Sequence, residues 1–414
     1  MTVSFLPGQE GTEQEPPIPY TASPLRLLWA DIRLFFRSIP YLPGLVRPLT
    51  PCRSGPLCEL YPSPQNIFVI ATHLLLSIIQ IAFLASLPLC VVFLVPAIWI
   101  GAYAVAFYWV NCTICAVCFN GCVSVLESIV PETERPENRE EHWIFINGVG
   151  VGNYWLQHTI DRLAYTFGRR VTGVHNETSG IVFDIIQCLI QRNFSYATQD
   201  IRDAYALTKD ALVNPEYRKV VLVLHSQGAI EGGLILDWLL DEMPQHLLRQ
   251  LEVYTFGNAA NHFNNPCKTT RTRLAKQEAG DKSIRHIEHY ANSEDFVSVW
   301  GLLNFVNIPN RYMGQVFIRP GSGHQLVQHY MDAMFPLGPD KRALESNPFM
   351  DMEVEVTETP GCSENESNGD DQVGGIYDGS CRALTNGKGI GIRGLKVRDL
   401  SRLWMYRNGQ RPAE

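Results

Sequence analysis

From Ile67 to Leu126 the 414-residue sequence has no Asp, Glu, Lys or Arg. Sixty uncharged, mostly apolar residues far exceed the roughly 20 that one helix needs to cross a bilayer, which argues against a wholly soluble chain. A transmembrane helical hairpin over residues 67–130 is expected, turning near Pro88 and Pro96. A hairpin that dips into one leaflet is the variant reading, because no polar loop separates the two arms. No cleavable leader is expected either. Residues 1–23 are proline-rich and acidic (Glu10, Glu13, Glu15), without a basic start or an apolar core. There is no Gly-Lys-Ser or Gly-Lys-Thr for a phosphate loop and no His-Glu-x-x-His for zinc. The net charge of −8 comes with no basic stripe, so nucleic acid is not an expected partner.

A disulfide framework is lacking too. The eleven cysteines are mostly scattered, as suits a reducing compartment. Cys112, Cys115, Cys118 and Cys122 copy the spacing of a ferredoxin cluster run, but Val123 stands where proline would follow and no partner set exists elsewhere. At helical pitch the four share one stripe, which suits packing or palmitoylation near the membrane edge better than a cluster. No cofactor or metal is expected.

What is present divides the chain into five parts. Residues 1–66 combine the acidic tail with a helix from Ser23-Pro24 to Ser38, a cap residue followed by proline. Arg26, Arg33 and Arg37 project within about 40° of one another there, so the helix is expected to lie on the membrane surface. Basic residues precede the apolar block and mostly acidic ones follow it. The positive-inside rule therefore places both flanks in the cytosol, with the endoplasmic reticulum or the lipid droplet as candidate membranes. Residues 131–344 alternate strands and helices. Strands are expected at 142–147, 170–175, 219–224, 251–256, 284–290 and 315–318, with helices near 154–167, 181–212, 229–240 and 325–334. That alternation predicts an α/β fold with a mostly parallel sheet covered on both faces. Residues 345–380 form an acidic linker. The stretch 345–378 carries ten acids and no base, a composition expected to be disordered. Residues 381–414 are basic, with eight Lys or Arg against two acids, and the segment 395–404 reads as a short amphipathic helix resting on anionic lipid or on the acidic linker.

The chemistry centres on Leu224-His225-Ser226-Gln227-Gly228, between an apolar strand and an apolar-periodic helix. A serine on such a turn is a nucleophile elbow, its hydroxyl lifted clear of the sheet. Leu224 stands where a glycine is usual, which implies slightly looser packing of strand on helix. A serine hydroxyl needs a base and oxyanion donors to act. With the parts expected in the order serine, acid, histidine, the acid candidate is Asp295, with Glu294 as rival. The base candidate is His324, with His329 as rival. One oxyanion donor is the backbone N–H of Gln227, at the helix N-terminus. The other is Val149, in the glycine-rich turn 147–152 after the first strand of this region.

Ser226 with its elbow, Val253-Tyr254-Thr255-Phe256-Gly257-Asn258, the segment 292–297 and the late His324 resemble the core of class 3 lipases. The wider stretch 142–336 resembles a group of fungal lipase-like serine hydrolases, as do Val174–Gly180 and Arg398–Trp404. The resemblance covers about half the chain. It implies an α/β-hydrolase fold with Ser226, Asp295 and His324 as a triad. The sequence departs from the pattern at Leu224 and at Asn147, where a histidine commonly precedes the oxyanion glycine. The expected function is a membrane-anchored serine hydrolase, cleaving ester or thioester bonds of an apolar acyl substrate beside a lipid bilayer. An acyltransferase and a catalytically silent scaffold remain as alternatives.

Overall fold

Successive side chains of a strand point to opposite faces, and here both faces are apolar. Ile144, Ile146, Val220, Leu222 and Leu224 enter one core, while Trp143, Phe145, Val221 and Val223 enter another. Strands buried on both faces need helices above and below. The computed structural model describes residues 2–8, 23–129, 135–266, 282–308, 311–357 and 394–412, and it has that layered arrangement.

Nine strands form one sheet. They are β1 (Val3–Leu6), β2 (Val125–Glu127), β3 (Glu141–Ile146), β4 (Val171–Val174), β5 (Lys219–His225), β6 (Leu251–Phe256), β7 (His286–Asn292), β8 (Gln315–Arg319) and β9 (Val354–Val356). Their order is β2-β4-β3-β5-β6-β7-β8-β1-β9. The run from β4 to β8 is parallel throughout and contains the six strands expected from sequence. Helices α5 (Ile181–Phe194), α6 (Gln199–Val213) and α7 (Gly228–Glu242) contribute to the first core. Helix α4 (Asn153–Phe167) and residues 326–335 contribute to the second.

Three expectations need correction. Residues 2–8 are not a loose tail: β1 pairs antiparallel with β8 and parallel with β9. Its four residues carry too little periodicity to declare a strand. Helix α1 (Pro24–Ser38) is docked on the domain, because Asp31 is fully buried against Arg192, Asn193 and Trp300. Its outward side still shows Leu25, Trp29 and Phe36. The acidic linker folds over its first part. Phe349, Met350 and Val354 are buried, and Glu353-Val354-Glu355-Val356 alternates charged and apolar residues as an edge strand does. The remaining linker residues, 358–380, and residues 381–393 of the basic segment lie outside the described residues, as do 9–22.

The basic C-terminal segment lies on the domain as well. Leu403, Trp404 and Tyr406 are buried in the second core, and Arg402 Nε and Tyr406 Oη each donate to Glu252, at 2.9 and 2.7 Å. Burial alone would raise the Glu252 pKa, but Lys219 and Arg402 bring it down to about 2. The segment neutralises acids at one end of the sheet.

The uncharged block forms α2 (Pro64–Val92) and α3 (Ala97–Cys115), α3 continuing as a wider turn to Asn120. Both are long and apolar enough to cross a membrane. Pro88 lies inside α2, and Pro96 caps α3 across the tight turn. Helix α2 buries one stripe, Asn66, Val69, His73, Leu76, Gln80 and Phe83, at helical spacing.

Removing one partner of a buried ion pair strands the other charge. Asp31→Ala should therefore destabilise the protein by about 3–5 kcal/mol, read from denaturant unfolding of the detergent-solubilised chain.

Candidate active site

β5 ends at His225 and α7 begins at Gly228, so Ser226 occupies a turn of only two residues. Its φ is +58°, a left-handed conformation that costs a serine on the order of 1 kcal/mol or more. Three hydrogen bonds hold it: Ser226 N donates to Phe256 O (3.1 Å), and the N–H groups of Ala229 and Ala259 donate to Ser226 O. The turn also demands space. A methyl on Gly148 would stand 2.5 Å from Ser226 Cβ, and one on Gly228 would stand 2.5 Å from Ile146 O. Leu224 brings no loosening, contrary to expectation. It is fully buried, and the room it takes is given by the helix: a methyl on Gly232 would lie 2.2 Å from Leu224 Cδ1. The small residue has moved from strand to helix.

Asp295 follows β7 and caps the short helix Phe296–Trp300 by accepting from Val297 N. His324 follows β8. The structure brings both to Ser226: His324 Nε2 is 3.0 Å from Ser226 Oγ, and His324 Nδ1 is 3.0 Å from Asp295 Oδ2. Asp295 is completely buried and also accepts from Tyr330 Oη (2.8 Å) and Ser298 Oγ (2.9 Å). Burial would raise its pKa; the His324 charge and these hydrogen bonds outweigh that and hold it below the usual value. An ionised Asp295 fixes the tautomer, because Nδ1 must donate to it, leaving Nε2 to accept the serine hydroxyl proton.

The rivals are placed elsewhere. Glu294 is exposed. Both ring nitrogens of His329 are engaged, Nδ1 accepting from Gln325 N and Nε2 donating to Pro48 O. Burial lowers the His329 pKa to about 4.

Val149 and Gln227 flank the serine, and among the described residues neither backbone N–H donates to a protein acceptor. Asn147 holds the loop that carries Val149, donating to Gly148 O and Asn176 O while accepting from Asn176 N. Gly150 N donates to Asp184 Oδ2 at 3.0 Å. Burial raises the Asp184 pKa to about 6, even though Thr178, Ser179 and Gly150 donate to it.

Two residues of this site carried no signal at the sequence level. Asp184 looked like an ordinary residue near the start of a helix. His225, inside the elbow itself, stacks on His324 with centroids 4.7 Å apart and donates Nε2–H to His324 O (2.9 Å). Burial, then the neighbouring His324 charge, drops the His225 pKa to about 3. The loop carrying His324 is thus tied to the strand that leads into Ser226. Among the described residues no three His, Cys, Asp or Glu side chains converge as metal donors, the 112–122 cysteines included. No known protein family matches the sequence, and no curated protein matches it.

Gly232→Ala should overpack Leu224 and cost about 1–3 kcal/mol, and Leu224→Ala in the same chain should restore part of that loss. Folded His225 titrates near 3 against about 6.5 in an unfolded chain. The unfolded state therefore takes up the proton first as pH falls. Stability from neutral His225 is complete above about pH 6.5 and is lost progressively toward pH 3. His225→Gln, which keeps a donor, should show a shallower fall in Tm between pH 7 and pH 4 than the wild type.

Proposed function

We propose that the protein is a membrane-anchored serine hydrolase with an α/β-hydrolase fold, lipase- or esterase-like, acting on ester or thioester bonds of apolar acyl substrates. The single observation that carries this reading is the continuous path from Asp295 through His324 to Ser226 Oγ, each step 3.0 Å, ending at a serine held at positive φ.

In the proposed reaction His324 Nε2 takes the Ser226 proton as Oγ attacks the acyl carbon, and the carbonyl π electrons move onto the oxygen. The N–H groups of Val149 and Gln227 meet that oxyanion. Asp295 stabilises the histidine cation without taking its proton. The oxyanion collapses, the bond to the alcohol or thiol breaks, and His324 returns the proton to the leaving group. Water then repeats the sequence on the acyl-enzyme, releasing the acid and the free serine. The surroundings of the triad are apolar: Phe296, beside Asp295, meets Phe35 of α1 edge-on at 5.3 Å, and Val149 packs on the first core.

The hairpin supports the anchor. Its far end exposes Leu89, Val91, Val92, Phe93 and Leu94, with Ile98 and Trp99 past the turn. Phe83 and Phe107 stack at 3.8 Å and both meet Phe183 of α5, so the arms touch the domain at least this far along. Beyond Phe83 only nine residues of α2 remain, about 14 Å at helical rise, against roughly 30 Å of hydrocarbon. The proposed seat is therefore one leaflet, with the turn near mid-bilayer and the catalytic domain on the cytosolic side.

A fluorophosphonate probe should label the wild type and leave Ser226→Ala unlabelled; equal labelling of the two would remove Ser226 as the nucleophile. In intact membranes Val95→Cys should gain no label over the wild type from an impermeant maleimide applied to either side. Added label from the face opposite the catalytic domain would show a full crossing.

A further inference from the structure

The loop that carries Val149 is glycine-rich, and its glycines face two ways. Gly148 lies against Ser226. Gly152 lies against the hairpin, where a methyl would stand only 2.7 Å from Phe119 O, and Gly150 lies between Ile181 of α5 and the hairpin, where a methyl would stand 3.4 Å from Ile181 Cγ1 and 3.7 Å from His73 Cε1. Two of the three glycines thus lie beside the membrane hairpin rather than the reacting centre.

The contact is wired as well as packed. Gln80 of α2 donates to Ser179 O (2.7 Å) and to Asn111 of α3 (2.9 Å), and it accepts from Val182 N. Asn111 donates to the same Ser179 O at 2.8 Å. Asn120 exchanges a pair of hydrogen bonds with the backbone of Thr178, at 2.9 and 3.1 Å. The loop gripped in this way passes the hold onward, since Thr178 Oγ1 and Ser179 N donate to the two carboxylate oxygens of Asp184 at 2.6 and 2.8 Å. Asp184 in turn accepts from Gly150 N. At Gly180 the fit tolerates no side chain, because a methyl there would stand 2.3 Å from Gln80 Nε2.

Gln80 and Asn111 are buried polar residues in otherwise apolar helices. Polar groups inside such segments are costly unless satisfied, and these are satisfied by one loop of the catalytic domain. We infer that Gln80, Asn111 and Asn120 are positioning residues for the oxyanion loop, acting through Thr178, Ser179 and Asp184, so that the hairpin is part of the catalytic apparatus as well as its anchor. This rests on Val149 being an oxyanion donor. Donor placement matters at sub-ångström scale, and nothing else described grips Gly150 N.

The test uses the full chain in lipid nanodiscs, with Gln80→Leu and the near-isosteric Asp184→Asn. For each, the rate of Ser226 labelling by a fluorophosphonate and kcat for a p-nitrophenyl ester should fall about tenfold or more. KM should stay within about twofold of wild type, since a misplaced donor weakens transition-state binding rather than substrate binding. Deuterium uptake in the peptide spanning 147–152 should rise while Tm and nanodisc retention are preserved. Wild-type labelling rates in both variants, or unchanged uptake at 147–152, would overturn the inference. Failure of the wild type itself to label would sink the hydrolase reading instead, and the uptake comparison would then decide the coupling alone.

Discussion

Everything in the site depends on one backbone constraint, the left-handed turn at Ser226 between β5 and α7. A two-residue turn brings the helix start close to the strand end, and three glycines, one from a loop and two from the helix, clear the space. Gly148 comes from the loop after β3, Gly228 begins the helix and Gly232 stands one turn later. The strain is local, whereas the bonds that resist its relaxation come from Phe256, Ala229 and Ala259. Because these belong to the sheet and to the core helix, the serine cannot relax without disturbing the most buried part of the molecule.

Around that turn the polar groups are dehydrated and paired in series. Asp295 is anionic in a fully buried place because Tyr330, Ser298, Val297 N and His324 all donate to it. His225 and His329 are kept neutral by burial and used as ties, one to His324 O and the other to Pro48 O. Three neighbouring histidines thus have three different tasks, set by their surroundings rather than by residue type. An effective dielectric well below that of water makes each of these bonds stronger and each missing partner more costly.

The central sheet was legible because strand-like stretches alternate with helical ones, most plainly in the apolar runs of β3 and β5, and the serine because strand and helix signals flank it directly. Asp295 and His324 were found by order along the chain, each just past a strand. β1 and β2 were hidden because three or four residues show no usable period, and β9, despite its alternation, lies in a stretch whose composition reads as linker. At 395–404 composition left anionic lipid and the acidic linker both open, and Lys396 and Arg398 pair with Asp351 of that linker. Arg402 instead answers Glu252 across 150 residues of sequence, a pairing that only the fold creates. Asp31 of α1 was obscured in the same way: its partner Arg192 lies 161 positions away, while the three arginines on that helix drew the reading outward. The glycines of 147–152 were read as making room for an anion, but Gly152 makes room for the helix hairpin and Gly150 supplies a left-handed turn beside it.

The sheet edge has a temporal implication. β1 pairs Val3 with Val354 and Ser4 with Ile318, so the opening strand waits for partners more than three hundred residues downstream. During synthesis the apolar hairpin emerges well before those partners do, while the sheet that will receive Val3–Leu6 is still incomplete. Long-range strand pairing of this kind is slow and leaves edges open. In the proposed membrane seat the apolar block would hold the nascent chain at the bilayer before its α/β layer can close, keeping the unfinished edge beside lipid and away from other copies in solution.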